Sequence, residues 1–173
     1  AQLQASLPES ASGVYWASVA ADEKGACIEA WARQGGMPCQ QITTSAYWQG
    51  LTNGYLQTQQ LGVDRWLAMV AARQCTQGAV CVVDCGSAIT FDYICAQGFH
   101  EGSYITPGAR LMSQSLVRDT AQINFAQQVV EDAFPGTNTA QAVLAGCYQM
   151  AHHGTCTLVR NAQDRGYEIL LCG

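Results

Sequence analysis

Charged side chains are scarce in this sequence of 173 residues, since Asp, Glu, Lys and Arg make up only 12% of it. Eight basic residues against thirteen acidic ones give a formal net charge of −5. No run of basic residues offsets that charge, so we expect no binding to the phosphate backbone of nucleic acids. Because 49% of the residues are hydrophobic, the composition also excludes a disordered chain.

Long apolar segments are missing as well. No stretch approaches the ~20 apolar residues that a membrane-spanning helix needs, and no charged-then-apolar leader opens the sequence. We therefore expect no association with a membrane. The length suffices for one ordinary domain, or for two small lobes sharing a cleft, and for a proper core.

The nine cysteines lack the spacing of a disulfide framework or a zinc site. Their number is odd, no C-x-x-C pair occurs, and the closest two are Cys81 and Cys85. The adjacent His152 and His153 would point to different faces of a helix, and we expect them on the surface or at an interface. These patterns predict free thiols, no metal–thiolate site and a reducing, cytoplasmic location.

The first part of the chain predicts a β-α-β unit. An aromatic and β-branched run predicts a strand over 14–19, a helical pattern covers 22–34, and a second strand covers 39–44. Such a unit implies a parallel strand pair. A Gln-rich segment ending at residue 60 is predicted as an ordered loop, and the spacing of apolar residues then predicts a helix over 63–74.

The second part predicts an antiparallel meander followed by helices. Three apolar strands with short connections are predicted over 79–83, 88–95 and 99–105. Connections this short require antiparallel pairing. Two helices and a last strand are predicted over 109–121, 139–165 and 167–172. The periodicity therefore indicates an α/β protein.

Asp64 and Arg65 stand together at the start of a predicted helix. One interpretation is a capping Asp beside a solvated Arg, because helix N-termini favour acidic residues. The other is a general base beside a guanidinium that binds a carboxylate, reached by the hydroxyl and the acid group of one substrate. The residues alone leave both open.

A buried strand ends in Asp84, which is followed by Cys85, Gly86 and Ser87. This arrangement suits a phosphate-bearing ligand, because Asp can hold a cation, Gly lets the backbone approach, and a hydroxyl can reach phosphate oxygens. A hairpin turn also favours Asp and Gly, so the pattern is equally compatible with a structural role.

The segment HEGSYITPG at 100–108 is a third candidate. Gly102 and Gly108 bracket a strand end and a helix start, where ligands are commonly contacted. A purely structural turn explains Pro107 and Gly108 equally well.

In this order and spacing, the segments resemble the type III pantothenate kinases. The family is similar in having an N-x-Y loop, here at 53–55, and an L-G-x-D-R-W segment, here at 61–66. It also has a V-x-D-x-G-T-A-x-T strand–turn–strand, here at 82–90, and a G-G-x-I-x-P-G segment, here at 102–108. The resemblance covers roughly residues 50–172.

The resemblance implies ATP-dependent phosphorylation of pantothenate to 4′-phosphopantothenate, the first step of coenzyme A biosynthesis. It implies Asp64 as the proton acceptor and Asp84 as the ligand of a monovalent cation, potassium or ammonium. Ser87 stands where the family has an ATP-contacting Thr, and a divalent cation, Mg²⁺, accompanies ATP. Thr139 resembles a residue that reaches pantothenate from the partner subunit of a homodimer. The implied pantothenate-binding wall consists of Tyr55, Gly62, Val63, Asp64 and Arg65.

The implied fold is actin-like, related to ribonuclease H and hexokinase, with two lobes facing each other across a nucleotide cleft. Residues 1–77 would close an incomplete N-terminal lobe and supply the connecting helix, and residues 78–173 would form the C-terminal lobe. The family's opening D-x-G-N-[ST] phosphate loop has no counterpart here. We therefore expect a chain truncated at both ends that is not a competent kinase by itself.

Two other functions stay open beside the kinase. One is a non-catalytic regulatory or binding protein of the transcriptional accessory type on the same fold. The other is a kinase acting on a different sugar or acid. One departure from the family bears on the site, since Ser103 replaces the second of the family's paired glycines.

Overall fold

The computed structural model describes residues 12–19, 23–119 and 134–173, and it confirms the predicted β-α-β unit. β1 (Val14–Trp16) and β2 (Cys39–Gln41) pair in parallel and are connected through α1 (Glu23–Gln34).

Both strands of this unit are shorter than predicted. The ladder ends with a bond from the Ile42 N–H to the Trp16 carbonyl. Beyond it, the Thr44 hydroxyl donates to the Leu61 carbonyl at 2.8 Å. The second predicted strand therefore stops because its last residue binds the segment that leads into the next helix.

A short hairpin that the sequence did not predict follows this unit. β3 (Tyr47–Trp48) and β4 (Leu51–Thr52) pair in antiparallel fashion around Gln49 and Gly50. Both turn residues have positive φ, 44° and 87°, as a two-residue turn of the primed type requires. The predicted Gln-rich loop is confirmed, with one 3₁₀ turn at Thr58–Gln60.

The central sheet has four strands in the order β7-β6-β5-β8. Its meander is confirmed, because β6 pairs with both β5 and β7 in antiparallel fashion, while β8 returns parallel to β5. The strands are β5 (Val80–Cys85), β6 (Ala88–Ile94), β7 (His100–Pro107) and β8 (Glu168–Cys172).

Three further helices accompany the sheet, each near its predicted position. They are α2 (Val63–Cys75), α3 (Ala109–Asp119) and α4 (Thr139–Asp164). The end of the third helix was predicted at residue 121, and residues 120 and 121 lie outside the described residues.

Helices cover both faces of the sheet and give it two apolar cores. Alternate residues of β5 point to opposite faces. Val80 and Val82 pack with Trp66 and Met69 of α2. Cys81 and Val83 belong to the other cluster, which includes Ala162 of α4. Because helices cover both faces of the sheet, the first four residues of β5 are all apolar and buried, as is typical of strands in parallel sheets.

The predicted free thiols and exposed histidines are confirmed in the described part of the chain. All nine cysteines are free thiols, and no group of three His, Cys, Asp or Glu residues could hold a metal ion there. His152 and His153 are exposed on α4. None of the described helices is long and apolar enough to cross a membrane.

Candidate active site

Asp64 lies at the exposed start of α2. The helix begins after Gly62, and the Asp64 Oδ1 accepts a hydrogen bond from the Arg65 N–H at 2.8 Å. This bond satisfies one of the unpaired N–H groups of the first helical turn. The Asp64 Oδ2 has no partner among the described residues, so one carboxylate oxygen is available to a ligand.

Gly62 and Val63 directly precede Asp64 and line a cavity. A Cβ at Gly62 would come within 2.5 Å of the Asp64 Oδ1, so a larger residue there would displace this carboxylate. The cavity has a volume of about 520 Å³ and lies between the ends of β1 and β2 and the start of α2.

Arg65 is buried, so the interpretation of a solvated guanidinium is wrong. Its side chain meets Asp92 of β6, 27 residues along the chain, in a bidentate ion pair. The Nε donates to the Asp92 Oδ2 at 3.0 Å, and the Nη2 donates to the Oδ1. The remaining nitrogen, Nη1, donates to the Tyr55 hydroxyl at 3.2 Å.

Asp92 receives a third hydrogen bond, from His100 at the start of β7. The His100 Nε2 lies 3.1 Å from the Asp92 Oδ1, and both residues are buried. Burial raises the pKa of Asp92, but the hydrogen bonds from His100 and Arg65 outweigh it and hold the pKa below its usual range. The carboxylate is therefore ionised, and the His100 Nε2 carries the proton that it donates.

Tyr55 is held in place by its own loop and by β7. Its N–H donates to the Asn53 Oδ1 at 2.9 Å, and its hydroxyl lies 2.9 Å from the Ser103 Oγ. Its ring stacks on that of His100, with centroids 5.6 Å apart. Gly54 permits this packing, because a Cβ there would overlap the His100 carbonyl oxygen.

The environment of Tyr55 also changes its acidity. Burial raises the pKa of the phenol, but the hydrogen bonds with Ser103 and Arg65 outweigh burial, so the pKa lies below its usual value. Tyr55, Arg65, Asp92, His100 and Ser103 thus form one connected set, which we call the Arg65 network.

Asp84 and Ser87 flank the turn between β5 and β6, the β5–β6 turn. Asp84 is half-buried at the end of β5, and its carboxylate has no hydrogen bond or ion pair with any described residue. The Ser87 Oγ accepts a hydrogen bond from the Arg110 Nη2 at 3.0 Å, and its carbonyl accepts one from Gly108 at 2.9 Å.

Gly108 explains why the start of α3 approaches this turn. A Cβ there would lie 2.9 Å from the Gly86 carbonyl oxygen and 3.0 Å from that of Ser87. Gly108 therefore has a packing role, and it places Arg110 beside Ser87.

Thr139 belongs to a third part of the molecule, the N-terminus of α4. It is the exposed first residue of α4, whose N-terminus is capped by Asn138 through a 3.0 Å bond from the Gln141 N–H. Thr139 lines a groove of about 900 Å³ between α3 and α4. Within the described ranges, no hydrogen bond joins it to the Arg65 network.

The structure thus brings some of the predicted residues into contact. Tyr55 and Arg65 are in contact, and Gly62, Val63 and Asp64 directly precede Arg65 on α2.

Sequence reasoning assigned no role to Asp92 or Arg110, and it named His100 only as part of a segment. A single acidic residue inside the apolar strand of β6 was a usable signal, because a buried carboxylate needs a partner.

Comparison with known proteins identifies relatives of this chain. The sequence profile of the family described as "Type III pantothenate kinase" matches residues 1–161. A protein named type III pantothenate kinase from Marinomonas sp. (strain MWYL1) is 39% identical over 142 residues, which are 80% of this chain and 58% of that protein. One of the same name from Halorhodospira halophila is 44% identical over 114 residues, 66% of this chain and 44% of that protein. The chain spans about half the length of the curated relatives that it matches.

A solved structure shares the fold. The crystal structure of a conserved Baf family protein from Campylobacter jejuni matches with a TM-score of 0.51 and 24% identity. The match covers 92% of this chain and 67% of that one. At this level of identity the likeness concerns the fold alone.

Proposed function

The chain belongs to the type III pantothenate kinase family, and we propose that the protein carrying it transfers the γ-phosphoryl group of ATP to the hydroxyl of pantothenate. The products are 4′-phosphopantothenate and ADP, in the first step of coenzyme A biosynthesis. One observation carries the proposal: Asp64 presents an exposed carboxylate directly beside the buried, ion-paired Arg65.

On the acceptor side, Asp64 acts as the general base. Its free oxygen takes the proton of the pantothenate hydroxyl while the hydroxyl oxygen forms a bond to the γ-phosphorus. The bond from the γ-phosphorus to the bridging oxygen breaks, and ADP leaves. Tyr55, Gly62, Val63 and Arg65 form the wall that orients the acceptor, which matters because phosphoryl transfer depends mainly on positioning and on charge neutralisation.

On the donor side, Ser87 contacts ATP and Asp84 holds a monovalent cation, potassium or ammonium. The donor chemistry fits, because Asp84 offers a half-buried carboxylate with no described partner, and oxygen ligands suit hard cations. A bound cation would supply positive charge near the phosphate oxygens, as would Mg²⁺ accompanying ATP.

At the level of the fold, we propose two actin-like lobes, with residues 1–77 belonging to the first and residues 78–173 to the second. We also propose a homodimer in which Thr139 reaches the pantothenate of the partner subunit. The exposure of Thr139, and the absence of a hydrogen bond between it and the Arg65 network in the described chain, support that role.

The test is ADP release by the full protein that carries this chain, measured with and without pantothenate in potassium and in sodium buffer. We expect release that requires both pantothenate and potassium or ammonium. A folded protein that binds neither substrate, or that releases ADP equally without pantothenate, would overturn the proposal. Pantothenate binding without turnover would favour the non-catalytic alternative.

A further inference from the structure

We propose that Asp92, supported by His100, is the positioning residue of the acceptor site: it fixes the guanidinium of Arg65 so that the remaining N–H groups meet the carboxylate of the acceptor. The inference rests on the proposed function, because that function supplies a carboxylate for Arg65 to bind. Three observations carry it, namely the geometry of the ion pair, its place on the sheet and its charge balance.

The ion pair leaves the guanidinium little freedom. An Arg side chain has five N–H groups in a planar fork. Asp92 accepts two of them, at Nε and Nη2, and the Tyr55 hydroxyl accepts a third, at Nη1. Two N–H groups remain, and one of them is on the nitrogen that contacts Tyr55. The bidentate pair therefore sets the plane of the fork before any ligand arrives.

The position of Asp92 in the sheet connects this pair to the rest of the wall. Asp92 lies opposite Val82 on β5 and opposite Ser103 on β7. Ser103 contacts the Tyr55 hydroxyl, and His100 both binds Asp92 and stacks on the Tyr55 ring. Tyr55 and Arg65, two residues of the proposed wall, are thus both connected to the Asp92 carboxylate, Arg65 directly and Tyr55 through His100.

Stability alone does not account for a charged pair at this place. Its neighbours in the α2-facing core, among them Val80, Val82 and Ile94, are apolar. A buried ion pair loses in desolvation much of what it gains in attraction, and an apolar pair of similar volume is often equally stable or more stable. An oriented guanidinium is what the apolar pair could not provide.

The charge balance makes the inference testable. Ionised Asp92 neutralises Arg65, so an acid reaching the pair meets oriented donors rather than a net positive charge. Asp92→Asn would leave the positive charge of Arg65 uncompensated and would remove one of the two strong acceptors. If charge governs acceptor binding, affinity for pantothenate rises in this variant. If orientation governs it, affinity falls.

The experiment is calorimetric titration of pantothenate and of ATP into the full protein and its variants. We expect Asp92→Asn to weaken pantothenate binding by about tenfold or more and to leave ATP binding unchanged. His100→Leu removes the N–H donor to Asp92 and should act in the same direction, whereas His100→Gln keeps a donor and should restore affinity to within about threefold of wild type.

Unchanged or tighter pantothenate binding in a folded Asp92→Asn protein would overturn the inference. If Asp92→Asn does not fold, His100→Leu and His100→Gln decide the matter: equal affinities in these two would overturn it. Failure of the proposed function is a different result, since the wild-type protein would then show no pantothenate binding and no pantothenate-dependent ADP release.

Discussion

The Arg65 network and the β5–β6 turn both include residues of the central sheet, but their polar side chains differ in how many hydrogen-bond and ion-pair partners they have. In the network, each charged group is buried and paired. Arg65 and Asp92 form an ion pair, and His100 forms a hydrogen bond with the Asp92 carboxylate. In the turn, Asp84 is half-buried without a described partner, and the exposed Ser87 hydroxyl has one hydrogen bond, from Arg110.

This difference indicates two ways of preparing a site. A network of paired side chains holds its geometry without a ligand, because each side chain is fixed by contact with another. An unpaired carboxylate at the end of a strand obtains its partner only from what binds there. We therefore interpret the Arg65 network as a pre-organised acceptor wall, and the β5–β6 turn as a region completed by a cation and by phosphate.

The largest expected effect concerns Asp64, the exposed group next to the pre-organised region. Asp64→Asn keeps the shape and the bond to the Arg65 N–H but cannot take a proton. We expect pantothenate-dependent ADP release by the full protein to fall by ~10²–10⁴-fold, the usual contribution of a general base. Steady-state kinetics with saturating ATP would measure the loss.

Pantothenate titration is the control for this variant. Because the Arg65 network stays intact, binding should persist within a small factor while turnover is lost. Turnover close to the wild-type rate would show that the Asp64 carboxylate is not the general base.

The second prediction compares the two aspartates on the sheet through the free energy of unfolding. Asp92→Ala leaves the buried charge of Arg65 unpaired, and we expect it to cost ~3–5 kcal/mol. Asp84→Ala removes a carboxylate without a described partner and should change stability by less than ~0.5 kcal/mol. Urea denaturation of both variants measures the difference, and equal costs would contradict the contrast between the regions.

The third prediction follows from the pKa of Asp92, which lies below its usual value. A depressed pKa contributes stability that is fully present above the unfolded pKa, about 3.9, and that is lost as the pH falls through the lower folded pKa. We therefore expect wild-type stability to fall below about pH 4 more steeply than that of Asp92→Ala, measured by urea denaturation at a series of pH values. Equal acid slopes in the wild type and Asp92→Ala would contradict this prediction.

Local signals explain which parts of this molecule the sequence predicts. The apolar periodicity of α2 and the short connections of the β5–β7 meander are encoded by neighbouring residues, and both were predicted with small errors at their ends. The β3–β4 hairpin was missed because its turn, Gln49-Gly50, lacks the Asn-Gly or Asp-Gly signature.

Some residues of the candidate site could likewise be predicted from local patterns, and others could not. Asp64 and Asp84 follow local patterns, a helix start and a strand end, and could be selected from the sequence. The pairing of Arg65 with Asp92 could not, because tertiary packing decides which cation reaches a buried carboxylate 27 residues away. A lone Asp in an apolar strand predicts that a partner exists, but not which residue it is.

The smallest expected effect compares one serine from each region. The Ser103 hydroxyl contacts the half-buried Tyr55 at 2.9 Å, whereas the Ser87 hydroxyl accepts from the exposed Arg110 at 3.0 Å. Removing a hydrogen bond costs more where water cannot replace it, so Ser103→Ala should lower the free energy of unfolding by ~0.5–1.5 kcal/mol and Ser87→Ala by less than ~0.5 kcal/mol. The two bonds have nearly the same length, so burial is what separates the variants. Parallel urea denaturation curves resolve the difference, and a larger loss in Ser87→Ala would mean that the β5–β6 turn is the more tightly constrained region.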